Sequence, residues 1–320
     1  MPGRVDQAQA QPLTSGSQAS SGSVESGVNA DLKSTITSLA GIAAAVLLGV
    51  GLAAAGSQHG VRVGGVPAFA IAVVLAFVVQ WLAFVPAYVL QTERFYDLMG
   101  SLTFITVTGM LVAVTPGVDA RGLLAAALVV IWAVRLGSFL FARVSRAGAD
   151  DRFAEIKVSL PRFLLVWTMQ GLWVSSTAAA AWIAISSINR VALDAFALVG
   201  LLIWAVGFGI EVAADRQKSR FRADPGNRGR FIASGLWSRS RHPNYFGEIV
   251  LWLGMALLAL PTFTGWQWVG LISPVFVTVL LTRISGIPLL EVRADAKWGG
   301  QSDYEDYKRR TPVLIPRLGR

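Results

Sequence analysis

Long apolar runs alternate with short polar connectors along most of this chain. A helix needs ~20 residues to cross the hydrocarbon of a bilayer. Runs of that order fall at about 35–56, 67–90, 98–115, 122–142, 162–186, 193–213, 246–261 and 266–285, the seventh being short and interrupted near Pro261. This pattern predicts an all-α fold, a polytopic membrane helical bundle of about eight transmembrane helices with no Rossmann fold. The GFG triplet at 207–209 lies inside a run, where it reads as close helix packing rather than a phosphate loop. Residues 1–33, rich in Ser, Gly, Gln and Ala, predict a disordered tail and not a signal peptide. N-terminal transmembrane helices follow over 34–95, then a larger region over 96–320 with a polar loop at 214–245 and a C-terminal tail at 287–320. In that tail LLEVRADAKW predicts a short amphipathic interfacial helix, and the three-residue spacing of Tyr304 and Tyr307 places them on one helix face.

Composition agrees with a membrane protein: 54% of residues are hydrophobic, 15% charged, and mean hydropathy is +0.55. The net charge of +9 therefore bears first on orientation and anionic lipid headgroups. Arginines and lysines concentrate in connectors on one side, which predicts an integral membrane protein with both termini cytoplasmic. The chain has no cysteine and only His59 and His242, which excludes disulfides, thiolate sites and multi-histidine metal centres. No metal and no nucleic acid is expected as a partner, and a monomer is expected. His242, held before Pro243, reads as a loop-fixing hydrogen-bonder; His59 reads as uninvolved.

The most polar stretch runs from Glu211 to Glu248, and between Arg216 and Arg241 it carries eight arginines and lysines against the single acid Asp224. Such a loop serves either as a positive anchor at the membrane surface or as a cradle for a phosphorylated ligand. Ionisable residues within or at the ends of spans are costly and mark sites. Here they are Asp97, Arg135, Glu211, Asp215, Glu248 and Glu291, which would gather in a polar pocket opening to the cytoplasm or neutralise one another in interhelical ion pairs.

The segments GLWSRSRHPNYFGEIVLWLGMAL and IPLLEVRADAKWGGQSDYEDYKRRTPVLIP resemble the steroid 5-alpha-reductase superfamily, in its bacterial branch of membrane oxidoreductases. The resemblance covers roughly Tyr96 to Pro316. Isoprenylcysteine carboxyl methyltransferases share a related RHP-x-Y-x-G-E block and tail, so S-adenosylmethionine-dependent methylation of a lipid-borne acceptor is the alternative enzyme. A lipid-binding scaffold is a third reading. WAVRLGSFLFAR is similar to the reductase arginine helix and D-x-x-x-S-R-F-R to its cofactor loop. The resemblance implies NADPH as cofactor, held by Arg135, Asp215, Arg222, Asn244 and Glu248, with Tyr304 and Tyr307 as further contacts. FYDLMGSL occupies the place of the reductase Gln-Glu pair, which implies Asp97 as the catalytic proton donor and Tyr96 as its partner or replacement. It also implies reduction of an activated C=C bond in a lipophilic, steroid-like or isoprenoid enone entering from the bilayer.

Overall fold

The computed structural model describes residues 17–147 and 153–317. Helices α1 (Ser17–Gly56), α2 (Ala68–Val89), α3 (Tyr96–Val114), α4 (Ala120–Ala147), α5 (Leu160–Ser186), α6 (Ala195–Ala223) and α7 (Pro243–Ala259) follow in order. A 3-10 segment at Gly265–Leu271 then leads into α8 (Ile272–Val279), which ends in a π-turn at Leu280–Ile284. Two short helices, α9 (Ile287–Trp298) and α10 (Ser302–Arg310), complete the chain. Between α1 and α2 a small hairpin pairs β1 (Arg62–Val63) with β2 (Val66–Pro67). Its turn residues Gly64 and Gly65 have φ of +57° and +82°, the left-handed geometry that a two-residue hairpin requires.

Every predicted span is present as a helix, and seven described segments are long and apolar enough to cross a membrane. The exception is α5, of spanning length but diluted by Gln170, Ser175, Ser176 and Thr177. It can carry these polar groups because protein surrounds it: α1, α2, α3, α4, α7 and α8 all pack on it. Ser175 and Ser186 satisfy their hydroxyls on carbonyls one turn back, as helices buried in a bundle commonly do. The larger of two hydrophobic clusters runs from Ala45 in α1 to Leu281 beyond α8, and the smaller gathers Phe84, Phe153, Phe163 and Trp167.

Two boundaries correct the sequence reading. Helix α1 is described from Ser17, whereas the sequence reading places an unstructured tail through residue 33; the membrane-spanning part begins at Asp31, and residues 1–16 lie outside those described. Helix α6 runs on to Ala223, so the first third of the expected 214–245 loop is helical. The run from Asp215 to Ala223 holds no glycine or proline, and nothing stops the helix until Pro225. Asp224 then caps the following turn by accepting from the Gly226 N–H at 2.9 Å.

Helices α6 and α7 lie against each other with almost no intervening side chain. A Cβ on Gly207 would come within 2.4 Å of the Leu251 nitrogen, and one on Gly247 within 2.6 Å of the Glu211 nitrogen. Gly200 and Gly254 repeat the arrangement one heptad away. Backbone contact of this kind is how membrane helices associate tightly. Here it fixes Glu211 on α6 against Glu248, which directly follows Gly247 on α7.

Candidate cofactor and active site

The charges that the sequence leaves inside spans converge where α4, α6 and α7 meet. Arg135 of α4 forms ion pairs with both Glu211 and Asp215, one from each terminal nitrogen. These acids lie one turn apart on α6, so a single guanidinium fork spans them. The Trp132 indole, one turn before Arg135, donates to the other Glu211 oxygen at 3.2 Å. The group is largely dry, with side-chain exposures of 16% for Arg135, 3% for Glu211 and 9% for Asp215. Glu248 is close enough to interact electrostatically with all three, yet its carboxylate makes no hydrogen bond or ion pair with a described residue. Three carboxylates thus surround one arginine. Beneath them Trp132 and Trp252 meet edge to face at 5.0 Å, with Phe104 5.1 Å from Trp132, a wall of low polarity that strengthens electrostatic interactions above it.

A pocket of about 350 Å³ opens over this cluster. It is lined by the largely buried Arg135 and Asp215, by Ser138, Phe139, Val212 and Ser219, and by the exposed Arg216 and Arg220. The two exposed arginines follow from the continuation of α6, since residues 216 and 220 are one helical turn apart. Sequence reasoning singled out Arg222 instead, which does not line the pocket. Asn244 is in the first turn of α7, one turn ahead of Glu248 and on the same face. Trp132, Arg216 and Arg220 are the members that the sequence reading missed; extending the 3.6-residue periodicity through the basic run would have found the last two.

Tyr96 and Asp97 open α3. The Tyr96 hydroxyl donates to the Val166 carbonyl at 3.1 Å, and its ring packs against Phe153 and Trp167 at 5.1 Å each. That phenol is therefore engaged in holding α3 to α5. A Cβ on Gly137 of α4 would fall 2.6 Å from the Ser101 Cβ, so α3 and α4 touch one turn above Asp97. This leaves Asp97 near the same end of the bundle as the Arg135 cluster.

Tyr304 and Tyr307 do not line the pocket. The Tyr304 hydroxyl donates to Asp295 at 2.9 Å, and Tyr307 donates to the Trp237 carbonyl at 2.7 Å. Burial raises both phenols above the ordinary tyrosine value, with the Asp295 bond adding to the effect at Tyr304, so both remain protonated donors. Their rings enclose Phe231. The geometry gives these tyrosines the task of fastening the tail to the loop. His242 does what the sequence reading expects: its Nε2 meets Glu291 of α9 at 2.7 Å, and its ring stacks on Tyr245. The tail continues this fastening, with the Arg241 N–H donating to the Pro312 carbonyl and the Arg317 N–H to the Arg239 carbonyl, both at 2.9 Å. At the opposite end of the bundle, the fully buried Arg121 donates to the Val191, Ala192 and Leu258 carbonyls and to Asp194.

Fold and site together define an integral membrane helical bundle with an ionic pocket at one end of its spans. The chain belongs to the family described as "Protein of unknown function (DUF1295)", matched over residues 83–311, within the steroid 5-alpha-reductase superfamily. It is 31% identical over 119 residues to a steroid 5-alpha-reductase DET2 of Gossypium hirsutum, covering 37% of this chain and 41% of that one. It is 31% identical over 121 residues to the 3-oxo-5-alpha-steroid 4-dehydrogenase 1 of Rattus norvegicus, covering 37% and 40%. The Delta(14)-sterol reductase ERG24 of Saccharomyces cerevisiae is 32% identical over 139 residues, covering 40% and 30%. The chain thus spans less than half the length of these curated relatives. No solved structure matches it.

Proposed function

We propose that this protein reduces an activated C=C bond in a lipophilic enone, with NADPH as cofactor. The observation that carries the reading is Arg135, ion-paired with Glu211 and Asp215 beside a pocket also lined by the exposed Arg216 and Arg220. The residues fit a phosphorylated dinucleotide. The exposed guanidinium forks suit its phosphates, and the buried acids offer acceptors to hydrogen-bond donors on its nicotinamide end. When bound, NADPH supplies the hydride that adds to the β-carbon of the enone.

The protein's own groups do the rest. Arg216 and Arg220 hold the phosphates, and the α6–α7 contact holds Glu248 at the inner end. Asp97 donates a proton to the carbonyl oxygen on which negative charge develops and regains one from water; the enol so formed takes a proton at its α-carbon from water and loses the one on oxygen, leaving the saturated ketone. A donor already in place there stabilises the enolate without reorganising. Tyr96 is a positioning residue in this reading, because its hydroxyl is committed to Val166. The substrate enters laterally from lipid. By the positive-inside asymmetry we place the basic end of the bundle in the cytoplasm of a bacterial inner membrane.

Thermal unfolding of the purified full-length protein in mild detergent, with NADPH, NADH and S-adenosylmethionine in parallel, tests the cofactor. A ligand at ~100 Kd adds about 2.7 kcal/mol to stability. A rise with NADPH that is lost in Arg216→Ala/Arg220→Ala supports the reading. A rise with S-adenosylmethionine alone replaces it with lipid methylation.

A further inference from the structure

The C-terminal tail builds a second pocket that shares no lining residue with the first. It is about 450 Å³ in volume and is lined by Arg241, Lys308, Arg309, Arg310 and Arg317, with Val313 at its edge. Three of these cations have carboxylate partners: Arg241 with Glu291, Lys308 with Asp295 and Arg309 with Asp306. Arg310 and Arg317 are exposed and form no side-chain hydrogen bond or ion pair with a described residue. The pocket is therefore left with two surplus positive charges.

Arg241 supplies a second, independent observation. Its side chain is only 13% exposed; one terminal nitrogen is ion-paired with Glu291 at 2.6 Å, while its Nε is buried with no hydrogen-bonded acceptor among the described residues. A buried guanidinium N–H is rarely left without an acceptor, because it has lost its water. Donors from Arg241 and the unpaired forks of Arg310 and Arg317 together suit the several oxygens of a phosphate.

The surroundings identify the source of that phosphate. Val313 and Ile315, between the two free arginines in sequence, are 38% and 70% exposed. In an integral membrane protein, apolar side chains exposed beside exposed arginines fit the boundary between headgroups and acyl chains. A soluble anion would make no use of them. We propose that the tail pocket binds the phosphate of an acidic phospholipid headgroup, with Val313 and Ile315 against the upper acyl chain. Because the tail is hydrogen-bonded to residues 239–241, just before α7, the bound lipid would also brace the loop that enters the site.

The test is thermal unfolding of the full-length protein in neutral detergent. It is titrated with short-chain phosphatidylglycerol, phosphatidylcholine of the same chain length, inorganic phosphate and NADPH, in wild type and in Arg310→Ala/Arg317→Ala. Both arginines are exposed, so the double variant should unfold at the wild-type temperature without lipid. Phosphatidylglycerol should raise the transition and phosphatidylcholine should not. The double variant should bind phosphatidylglycerol roughly 30-fold more weakly, as each cation near an anionic headgroup contributes several-fold. An equal response to phosphatidylcholine, or an undiminished response in the variant, overturns the proposal. So does inorganic phosphate matching phosphatidylglycerol at equal concentration, which would make the ligand a soluble anion. Loss of the NADPH response in the same variant would also overturn it, by assigning the pocket to the cofactor.

Discussion

Gly207→Ala should damage this protein out of proportion to the one carbon it adds. The new Cβ would fall 2.4 Å from the Leu251 nitrogen, 2.6 Å from the Gly247 oxygen and 2.9 Å from the Leu251 Cα. All three are backbone atoms of α7, so no side chain can swing aside. Restoring ordinary contact at 3.4 Å requires α6 and α7 to part by the difference, 3.4 − 2.4 = 1.0 Å. Overpacking of this kind costs about 1–3 kcal/mol, partly offset by the ~1 kcal/mol that alanine gains over glycine in a helix. Gly209→Ala is the matched control: it lies on the same helix, and a Cβ there meets nothing within 4 Å. Thermal unfolding in detergent should show Gly207→Ala several degrees below Gly209→Ala, taking ~2–4 °C per kcal/mol for chains of a few hundred residues. The same separation moves Glu211 away from Glu248, so the NADPH response should weaken in Gly207→Ala and persist in Gly209→Ala. If the two variants unfold at the same temperature, the α6–α7 contact does not have the tightness described.

Further expectations concern the charged cluster and the tail. Arg135→Ala strands three carboxylates in a largely dry site and should cost about 3–5 kcal/mol by thermal unfolding; Arg135→Lys should recover little, since one ammonium cannot bridge Glu211 and Asp215 as a fork does. Asp97→Asn should abolish enone reduction while leaving the NADPH thermal shift intact; full turnover would remove Asp97 as the proton donor. Tyr307→Phe should lower stability by about 1 kcal/mol through loss of its bond to the Trp237 carbonyl and leave the NADPH shift unchanged, whereas a weakened shift would restore its role as a cofactor contact. His242→Ala should cost about 1 kcal/mol, the net worth of one hydrogen bond, because Glu291 keeps its ion pair with Arg241; the same unfolding curves read it.

The helices and the ionic cluster were legible because each leaves a local trace. Spans show as apolar runs, and Arg135, Glu211, Asp215 and Glu248 stand out as charges in surroundings that tolerate few. What the sequence hid depends on partners far along the chain. Arg121 reads as an ordinary connector charge, yet it is fully buried through acceptors some 70 to 137 residues away. Tyr304 and Tyr307 share a helix face as expected, but nothing local says that their hydroxyls end on Asp295 and the Trp237 carbonyl. The centrality of α5 was equally hidden, because Thr168, Ser175 and Ser186 bond their own helix and so look the same in sequence whether lipid or protein surrounds them. The end of α6 was legible but misread: polarity suggested a loop, while the missing glycine and proline already required a helix.

The pairing of residues 312–317 with 239–241 has a consequence for how the protein is made. The apolar helices can enter the bilayer one after another as the chain emerges. The segment leading into α7, however, stays unlatched until residues more than 70 positions downstream have been synthesised. A chain released before that point would contain every apolar span, pass through membrane insertion and still lack the clasp beside its site. Integration and maturation are therefore separate events in its biosynthesis. Pulse-labelled chains cut short after α9 should resist extraction from the membrane like the whole protein, while their 224–242 segment remains open to protease.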